Sequence, residues 1–389
     1  MVRVYRYLLR PSRKQVAAMF ATLTCLRELY NAALQERRDA WRCGHQRVSA
    51  YDQMRQLVAV REERPEFRDI HVHLLQDAIT RVDRAFSAFF RRCKNGEKPG
   101  YPRFKGRDRY RTFTFKDAVH RNGAAVVAGD QRVRLSGIGN VRMRLHRPIV
   151  GRIKQVSVTL AGDGRWYVAF ACDQVPIERL PEMGRAVGLD LGISCFAALS
   201  DGTIIANPRP FEAGHAHMRR AQRRVARRKR GSHRRRKAVG LLARQHAHVQ
   251  AVRRDFHHKL AAKLVTDFDR IAIEDLEVRG LSRSKLAKQV NDAGWGQFTT
   301  ILRAKAESAG REVVAVDPRG TSQECSECGC EVHKTLAVRV HDCPHCGYVA
   351  DRDINAARNI LQRMGRIRRG EVVDVRLLED PRSPCLSAS

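Results

Sequence analysis

The sequence predicts an α+β multidomain protein: a β-barrel-like domain with a helical insertion, followed by an α/β domain that a four-cysteine module interrupts. Three observations support this prediction. Apolar residues recur at helical spacing within 12–93, short β-branched and aromatic segments fill 111–172, and strands alternate with helices from residue 185. With 389 residues, 43% of them hydrophobic, the chain is long enough for two or three domains.

The first domain begins with a strand, because residues 2–9 (VRVYRYLL) alternate between apolar and polar positions and Pro11 follows them. Residues 12–43 and 49–93 are predicted helices. The apolar positions expected to pack between these helices are Met19, Leu23, Leu26, Tyr30, Leu34, Leu74, Leu75, Ile79, Val82, Phe86, Phe89 and Phe90.

The segments within 111–172 predict an antiparallel barrel or sandwich. They are RTFTFK, AAVVAG, RVRLSGIGNVRMRL, QVSVTL and RWYVAFAC, separated by Gly, Asp and Asn. We expect the first strand to return to this sheet, so that the helices form an insertion in a β-domain.

The second half alternates strands and helices. AVGLDLGI and FAALSDGTIIA predict a hairpin of core strands with Ser200-Asp-Gly202 at its turn. The remaining elements are a basic helical stretch over about 213–268, the strand RIAIED, a helix through 293–309, the strand EVVAVD and a final helix over 353–364. The Pro/Ser-rich end predicts a disordered tail over 371–389.

The composition indicates a polyanionic partner. A net charge of +33 and a pI near 10.7 exceed what solubility requires, and such a field attracts nucleic acid. Seven of the eleven cysteines lie outside the Cys-x-x-Cys pairs and are scattered, which favours a reducing compartment and metal chemistry over disulfides. The chain shows no signal segment and no run of 18 apolar residues, so we expect a cytoplasmic protein without a membrane partner.

Three acidic residues interrupt apolar strands or begin a helix. Asp190 lies within the strand VGLDLGI, Glu274 ends the strand IAIE, and Asp353 begins the final helix. A single such carboxylate would usually be a cap or a salt-bridge partner. Three of them on elements of one α/β domain predict a two-metal site, because hard oxygen ligands bind Mg²⁺ or Mn²⁺ and a pair of ions can hydrolyse a phosphodiester.

The two Cys-x-x-Cys pairs predict one structural metal site. Cys325 and Cys328 are followed after fourteen residues by Cys343 and Cys346, a spacing typical of a tetrahedral Zn²⁺ site with four thiolates. Replacement of one ligand by Cys330 or His341 is an alternative.

A dense basic run predicts nucleic-acid contacts. Met218–Lys237 contains twelve Arg or Lys and no acid, so a phosphate backbone is the expected counterion. The predicted contacts there are Arg219, Arg220, Arg223, Arg224, Arg227, Arg228, Lys229, Arg230, Arg234, Arg235, Arg236 and Lys237. Further contacts are predicted at Tyr101, Arg103 and Lys105. Tyr101, Phe104, Tyr110, Phe113 and Phe115 could stack on bases, although strand packing is an equal alternative for the phenylalanines, and Trp295 is expected in the core.

Together these motifs resemble the TnpB family, transposon-encoded RNA-guided DNA endonucleases with a RuvC-type, RNase H-like nuclease domain. The motifs are GLDLGI, IAIEDLEVRGL, NDAGWGQF, TSQECSECG, CPHCG and DRDINAARNI, in family order over 185–365. LYNAAL at 29–34 and GYPRF at 100–104 extend the likeness more loosely to the N-terminal part.

The resemblance implies roles for individual residues. Asp190, Glu274 and Asp353 match the three catalytic carboxylates of the family. Asp351 is the rival for the third position; the alternative roles for Asp351 are to cap the helix or to orient Arg352. Asp275 is not expected to be a ligand, and Asn355 is expected to support the site by hydrogen bonding. The cysteine module corresponds to the target-nucleic-acid-binding part of the family.

The resemblance also implies partners and activity. We expect one structural Zn²⁺, two catalytic Mg²⁺ ions replaceable by Mn²⁺, a guide RNA from the transposon end, and a double-stranded DNA target beside a short motif. The site would cut the displaced strand before the target strand, in a prokaryotic cell at the nucleoid. The alternatives are a guided repressor without cleavage, a strand-transfer transposase and a small CRISPR-associated type V effector; one or two chains could bind each RNA.

The implied domain boundaries are 1–10 and 95–184 for the β-domain, 11–94 for the helical insertion, 185–320 and 348–370 for the RuvC-like domain, and 321–347 for the zinc module.

Overall fold

The structure is a computed structural model that describes residues 1–116, 124–127, 131–335 and 338–368. The tail predicted over 371–389 lies outside the described residues. The chain divides into two compact units, Met1–Pro176 and Ile177–Ser389, which are treated separately below.

The first unit contains seven strands and four α-helices among the described residues. They are β1 (Arg3–Arg10), α1 (Arg13–Gly44), α2 (Ala50–Arg55), α3 (Leu57–Glu63), α4 (Val72–Lys94), β2 (Thr112–Lys116), β3 (Ala124–Val127), β4 (Arg132–Leu135), β5 (Gly139–Met143), β6 (Arg152–Leu160) and β7 (Trp166–Asp173).

These strands form an antiparallel sheet in the order β2-β6-β7-β1-β5-β4-β3. Strand β1 joins the two halves of the sheet, because Arg3 to Leu8 pair with β7, whereas Leu9 and Arg10 pair with β5. The first strand therefore returns to the sheet, as the sequence predicts, and α1 to α4 lie between β1 and β2 in the chain.

The first predicted helix, 12–43, forms as α1, whereas the second, 49–93, is divided. Residues 49–93 form three helices and a short 3-10 helix at Pro65–Phe67, because a proline removes a backbone donor and stops the preceding helix. Most of the predicted apolar positions are buried, from Met19 to Val82. Phe90 is an exception, because its side chain is 55% exposed, so its predicted place in the core is wrong.

The second unit contains the remaining elements. They are β8 (Ala186–Leu191), β9 (Cys195–Leu199), β10 (Ile204–Ala206), α5 (Pro210–Ala226), α6 (His233–Asp267), β11 (Arg270–Glu274), α7 (Val278–Leu281), α8 (Ala287–Ala293), α9 (Trp295–Ala309), β12 (Glu312–Val316), β13 (Val340–Asp342), β14 (Val349–Asp351) and α10 (Arg352–Arg368).

Its five-stranded sheet has the order β10-β9-β8-β11-β12, with β8, β11 and β12 parallel and β9 antiparallel to β8. Alternate residues of the strands face opposite layers. Val187 and Leu189 pack in the core that α6 and α9 contribute to, whereas Ala272 packs with Ile360 of α10. The sheet thus has a helical layer on each face.

Two predicted helices of this unit are interrupted. The basic stretch over 213–268 breaks between α5 and α6, where Gly231 has a φ of 82° and Ser232 caps α6 by accepting from the Arg235 N–H. The predicted helix 293–309 begins after Gly294, whose φ of 68° ends α8. Trp295 is buried in the core, as predicted.

The described part of the chain contains no helix long and apolar enough to cross a membrane.

Candidate functional site

Asp190 and Glu274 lie side by side at the ends of two parallel strands. In the register of β8 and β11, Leu189 is opposite Ile273, and each carboxylate is the next residue of its strand. Adjacent residues at the same level of neighbouring strands face the same side of a sheet. The two carboxylates therefore point to the α10 face, opposite the core of Val187 and Leu189.

Gly188 explains how α10 comes close to this edge. A Cβ built on Gly188 would lie 2.0 Å from the carbonyl oxygen of Ala357 and 2.8 Å from the nitrogen of Leu361. The missing side chain lets the backbone of α10 rest on β8. Asp353, one helical turn before Ala357, is thereby brought towards Asp190.

The start of α10 assigns different contacts to its two aspartates. Asp351 is exposed, and its Oδ1 accepts hydrogen bonds from the backbone N–H groups of Asp353 (2.8 Å) and Ile354 (3.3 Å), so it caps the helix. Asp353 instead pairs with two guanidinium groups, from Arg352 at 3.1 Å and Arg339 at 3.5 Å. Asp351 acts as the cap that the sequence offered as an alternative.

Burial and neighbouring carboxylates raise the pKa values of acidic groups at this edge, and nearby arginines oppose the rise. Burial raises the pKa of Asp190 well above its ordinary value, Glu274 and Asp353 raise it further, and Arg352 opposes the rise. Burial also raises the pKa of Glu274. The Cys195 thiol lies 3.8 Å from Asp353 Oδ2, and burial with the nearby carboxylates raises its pKa to about 11.

Three half-buried carboxylates close to one another fit a divalent cation. Oxygen donors are the ligands that Mg²⁺ and Mn²⁺ prefer, and bound cations would remove the repulsion that raises the pKa of Asp190. Asp275 is exposed on the other side of the strand end. Among the described residues, the oxygen atoms of these carboxylates are not grouped as closely as the sulfur atoms of the cysteine quartet described below. A site for two ions spreads its ligands more widely than a site for one.

The four predicted cysteines come together. The Sγ atoms of Cys325, Cys328, Cys343 and Cys346 all lie within 4.8 Å of one another. Cys325 and Cys346 are 3.7 Å apart and Cys328 and Cys343 are 3.6 Å apart. Four thiolates around one zinc ion at about 2.3 Å would be about 3.8 Å apart, so this quartet could bind a metal such as zinc.

Two matching turns position the thiolates. The N–H of Gly329 donates to the Cys325 carbonyl and the N–H of Gly347 donates to the Cys343 carbonyl, both at 2.9 Å. Both glycines have a positive φ, near 75° and 72°, the conformation that glycine adopts without strain.

The alternative ligands lie outside this quartet. The Cys330 carbonyl accepts from the Cys325 N–H at 2.9 Å, and Cys330 is not among the grouped thiols. His341 is buried, and its Nδ1 accepts from Lys334 Nζ. The geometry favours the four-cysteine set over either replacement.

The polar face of α10 binds the chain that leads into the first turn. Asn355 Oδ1 accepts from the Ser326 N–H at 2.9 Å and its Nδ2 donates to the Glu324 carbonyl at 2.7 Å. Asn359 Nδ2 donates to the carbonyls of Thr321 and Glu324. Asn355 therefore supports the cysteine module, whereas the sequence predicted that it would support the carboxylates.

One contact joins this segment to the carboxylates. Thr321 Oγ1 donates to Glu274 Oε1 at 2.7 Å. The sequence analysis missed Thr321, because the partners are 47 residues apart. The sequence signal was a polar residue at the first position of TSQECSECG.

The basic run forms a largely exposed surface on the α5–α6 hairpin. The exposed members are Arg219, Arg220, Arg223, Arg224, Arg227, Lys229, Arg230, Arg234, Arg236 and Lys237. Arg235 differs, because its Nη1 donates to the carbonyls of Val225 (2.8 Å) and Arg228 (3.2 Å) and so holds the turn between the helices. Arg228 is half-buried.

The aromatic residues of 101–115 divide into two groups. Tyr110, Phe113 and Phe115 are buried in the core of the first unit. Tyr101 and Phe104 are 46% and 43% exposed. Arg103 is exposed, whereas Lys105 Nζ lies 5.6 Å from the ring centre of Tyr30.

Comparison with protein families places this mixed α/β protein with its cysteine cluster in a known class. Residues 169–285 match a family described as "Probable transposase", residues 295–360 match "Cas12f1-like, TNB domain", and residues 1–46 match "Helix-turn-helix domain". In this chain, the last of these ranges holds a strand and one long helix, β1 and α1.

Full-length relatives agree with these matches. A protein of Streptomyces pristinaespiralis named as a candidate RNA-guided DNA endonuclease is 35% identical over 369 residues, covering 92% of this chain and 88% of that protein. InsQ of Escherichia coli (strain K12), which carries the same description, is 27% identical and covers 92% of each chain. The chain belongs to the TnpB family.

Among solved structures, a Cas12f1 chain in a complex with sgRNA and target DNA is similar in fold. Its TM-score is 0.56 at 15% identity, covering 89% of this chain and 82% of that chain.

Proposed function

We propose that this chain is a transposon-encoded RNA-guided DNA endonuclease. The observation that carries the proposal is the convergence of Asp190, Glu274 and Asp353 on one face of the second sheet, in a chain whose full-length relatives carry that description. The basic α5–α6 surface and the net charge of +33 supply the electrostatic attraction that binding of RNA and DNA requires.

The proposed site has an RNase H-like arrangement of the RuvC type. Asp190 on the central strand and Glu274 on its neighbour would hold divalent ions, and Asp353 would complete the set from α10. Two such ions, when bound, activate water and stabilise the leaving oxygen of a phosphodiester. Mg²⁺ is the proposed ion and Mn²⁺ a substitute.

Three further residues position Asp353 or bring positive charge to the site. Arg352 and Arg339 hold Asp353 through ion pairs at 3.1 and 3.5 Å, and these guanidinium groups would also bind a phosphate of the nucleic acid. Asp351 fixes the start of α10 and thus the direction from which Asp353 enters the site.

The proposed partners follow the family. The guide RNA would come from the transposon end, and base pairing would select a double-stranded target beside a short motif, in the prokaryotic cytoplasm. The four cysteines would bind one structural Zn²⁺. The proposed domain boundaries assign 321–347 to the zinc module, and β14 (Val349–Asp351), just beyond it, pairs with β13 inside it.

The test is to express the chain with its flanking transposon sequence and to sequence the RNA that copurifies. The particle is then incubated with Mg²⁺ and a plasmid library that carries a guide-matched target beside randomised bases. A discrete RNA from the element's end with motif-dependent double-strand cuts is the expected result. Target binding without cuts would support a guided repressor, and random RNA without target selectivity would refute the guided function.

A further inference from the structure

We propose that Thr321 is a positioning residue for Glu274 and that it couples the cysteine module to the cleavage site. The proposal rests on the proposed function, in which Glu274 holds a divalent ion. Thr321 lies four residues before Cys325, in the segment 317–324, which we call the approach loop.

The contact is part-buried and directed at a carboxylate oxygen. Thr321 is 4% exposed, and its Oγ1 lies 2.7 Å from Glu274 Oε1 and 3.0 Å from the Pro318 carbonyl oxygen. A hydroxyl has one proton to donate. The carboxylate is the shorter and charged acceptor, so it receives the stronger hydrogen bond.

The approach loop is held on both sides of Thr321. Arg363 Nη1 donates to the carbonyls of Asp317 (2.7 Å) and Arg319 (2.6 Å), and its Nη2 pairs with Glu324 at 2.8 Å. Asn359 Nδ2 donates to the carbonyl of Thr321 itself at 2.9 Å. These bonds hold the backbone around Thr321 in place, and therefore also the position from which its hydroxyl reaches Glu274.

The far end of the loop is fixed by the cysteine quartet. Cys325 follows the loop directly and is buried, and Asn355 binds the backbone on both sides of it, at Glu324 and Ser326. A metal bound by the thiolates would order Cys325 and, through four residues of chain, Thr321. The same helix that presents Asp353 thus holds the loop that orients Glu274.

A glutamate at the end of a strand needs such a partner. Its side chain has several rotatable bonds, and ordering them costs free energy unless a contact holds the carboxylate. Partners that orient metal ligands typically change metal affinity or activity by about 10- to 100-fold when they are lost. Glu274 is held by one such hydroxyl on its Oε1.

The test compares Thr321→Val, which keeps the shape and loses the hydroxyl, with Thr321→Ser, which keeps the hydroxyl. Both are made in the full chain purified with its guide RNA. We expect Thr321→Val to keep its zinc content and target affinity but to cut about 10- to 100-fold more slowly in a single turnover, with a higher Mg²⁺ midpoint. Thr321→Ser should restore both values to near wild type.

A second readout does not depend on DNA cutting. Ferrous ion is bound in place of Mg²⁺, and peroxide with ascorbate then cuts the polypeptide next to the ion. Fragments ending near Asp190 and Glu274 are expected for wild type and Thr321→Ser and should weaken for Thr321→Val. Thr300→Val is the matched control, because Thr300 is exposed on α9 and its hydroxyl donates to the Gly296 carbonyl of its own helix.

The outcomes separate this inference from the proposed function. Equal rates, Mg²⁺ midpoints and iron fragments in wild type and Thr321→Val would overturn the role of Thr321 alone. A Thr321→Ser variant that has normal zinc content but is as slow as Thr321→Val would also overturn it. A wild-type particle that neither cuts DNA nor gives iron fragments would overturn the proposed function, and the positioning role with it.

Discussion

Gly188 of β8 lies directly beneath Ala357 of α10, with room for a hydrogen atom and no more. A methyl group at residue 188 would approach the Ala357 carbonyl oxygen to 2.0 Å, and that oxygen belongs to a helix backbone that cannot rotate away. The distance between the sheet and α10, and hence the place of Asp353, depends on this pair.

Gly188→Ala is therefore expected to push α10 from the sheet. Overpacking against a backbone should lower the free energy of unfolding by about 3 kcal/mol or more and reduce DNA cutting sharply. Thermal unfolding and cleavage assays measure both effects. Gly296→Ala is the control, since Gly296 lies in α9 with nothing within 4 Å of its Cβ position, and alanine there should stabilise the helix by about 0.5–1 kcal/mol. Equal stability of the two variants would contradict the packing.

Asp190→Ala should abolish DNA cutting and leave guide RNA and target binding nearly unchanged. The reason is that the carboxylate serves a metal ion and makes no contact with phosphate in the proposed site. Cleavage gels and binding titrations on the same particle separate the two effects. A simultaneous loss of RNA binding would contradict the assignment of Asp190.

Asp190→Asn should stabilise the metal-free protein in a pH-dependent way. Burial raises the folded-state pKa of Asp190 well above its value in the unfolded chain, and Glu274 and Asp353 add to the rise. A raised pKa gives stability that is complete below the unfolded pKa, near 4, and is lost as the pH rises through the folded value. The amide cannot ionise, so it avoids that loss.

The gain in melting temperature of Asp190→Asn over wild type should therefore be smallest near pH 4 and grow as the pH rises above it, in magnesium-free buffer. Added Mg²⁺ should stabilise wild type and reverse the difference. Asp275→Asn is the control, since Asp275 is exposed beside the same strand end. A gain that stays constant with pH would argue against a raised pKa at Asp190.

Cys343→Ser should lower the zinc content well below one ion per chain and weaken target engagement. A structural zinc site supplies folding free energy to its own module. Atomic absorption and thermal unfolding of the purified particle measure the effect. Cys43→Ser is the matched control, because Cys43 is an exposed free thiol in the first unit. Unchanged zinc content in Cys343→Ser would refute the four-cysteine site.

Arginine variants of the α5–α6 hairpin should fall into two kinds, those that weaken nucleic-acid binding and those that lower stability. Arg224 is exposed, so Arg224→Ala should reduce the slope of log affinity against log salt by about 0.7–0.9 for one lost phosphate contact. Arg235→Ala should instead lower stability by about 1–2 kcal/mol, because the guanidinium bonds to the carbonyls of Val225 and Arg228 are lost. Salt titrations of binding and thermal unfolding distinguish them. Equal salt slopes in both variants would contradict the inward role of Arg235.

The sequence was sufficient where a residue interrupts a strong pattern. Asp190 breaks an apolar strand and Glu274 ends another, so their places on strands of one α/β domain could be predicted, whereas the adjacency of the two strands comes from the structure. The helix break at Pro65 and the caps at Gly231-Ser232 were also visible as local signals that the predicted helices 49–93 and 213–268 ignored.

The sequence was insufficient where a role depends on distant partners. The capping role of Asp351 follows from backbone N–H groups whose direction only the folded helix sets. The inward turn of Arg235 and the bond from Thr321 to Glu274 depend on contacts across ten and 47 residues. Composition marks these residues as basic or polar, and packing alone decides what they touch.

The grip of α10 on the approach loop has a consequence for protein engineering. Asn355, Asn359 and Arg363 of α10 bind backbone atoms of residues 317–326. The helix and the cysteine module are therefore complementary to each other within one chain. A chimera between relatives that exchanges only the residues between the four cysteines would combine the cysteine module of one protein with the α10 of another, and the hydrogen bonds between the two would be lost. The smallest transplantable piece runs from Asp317 to the end of α10.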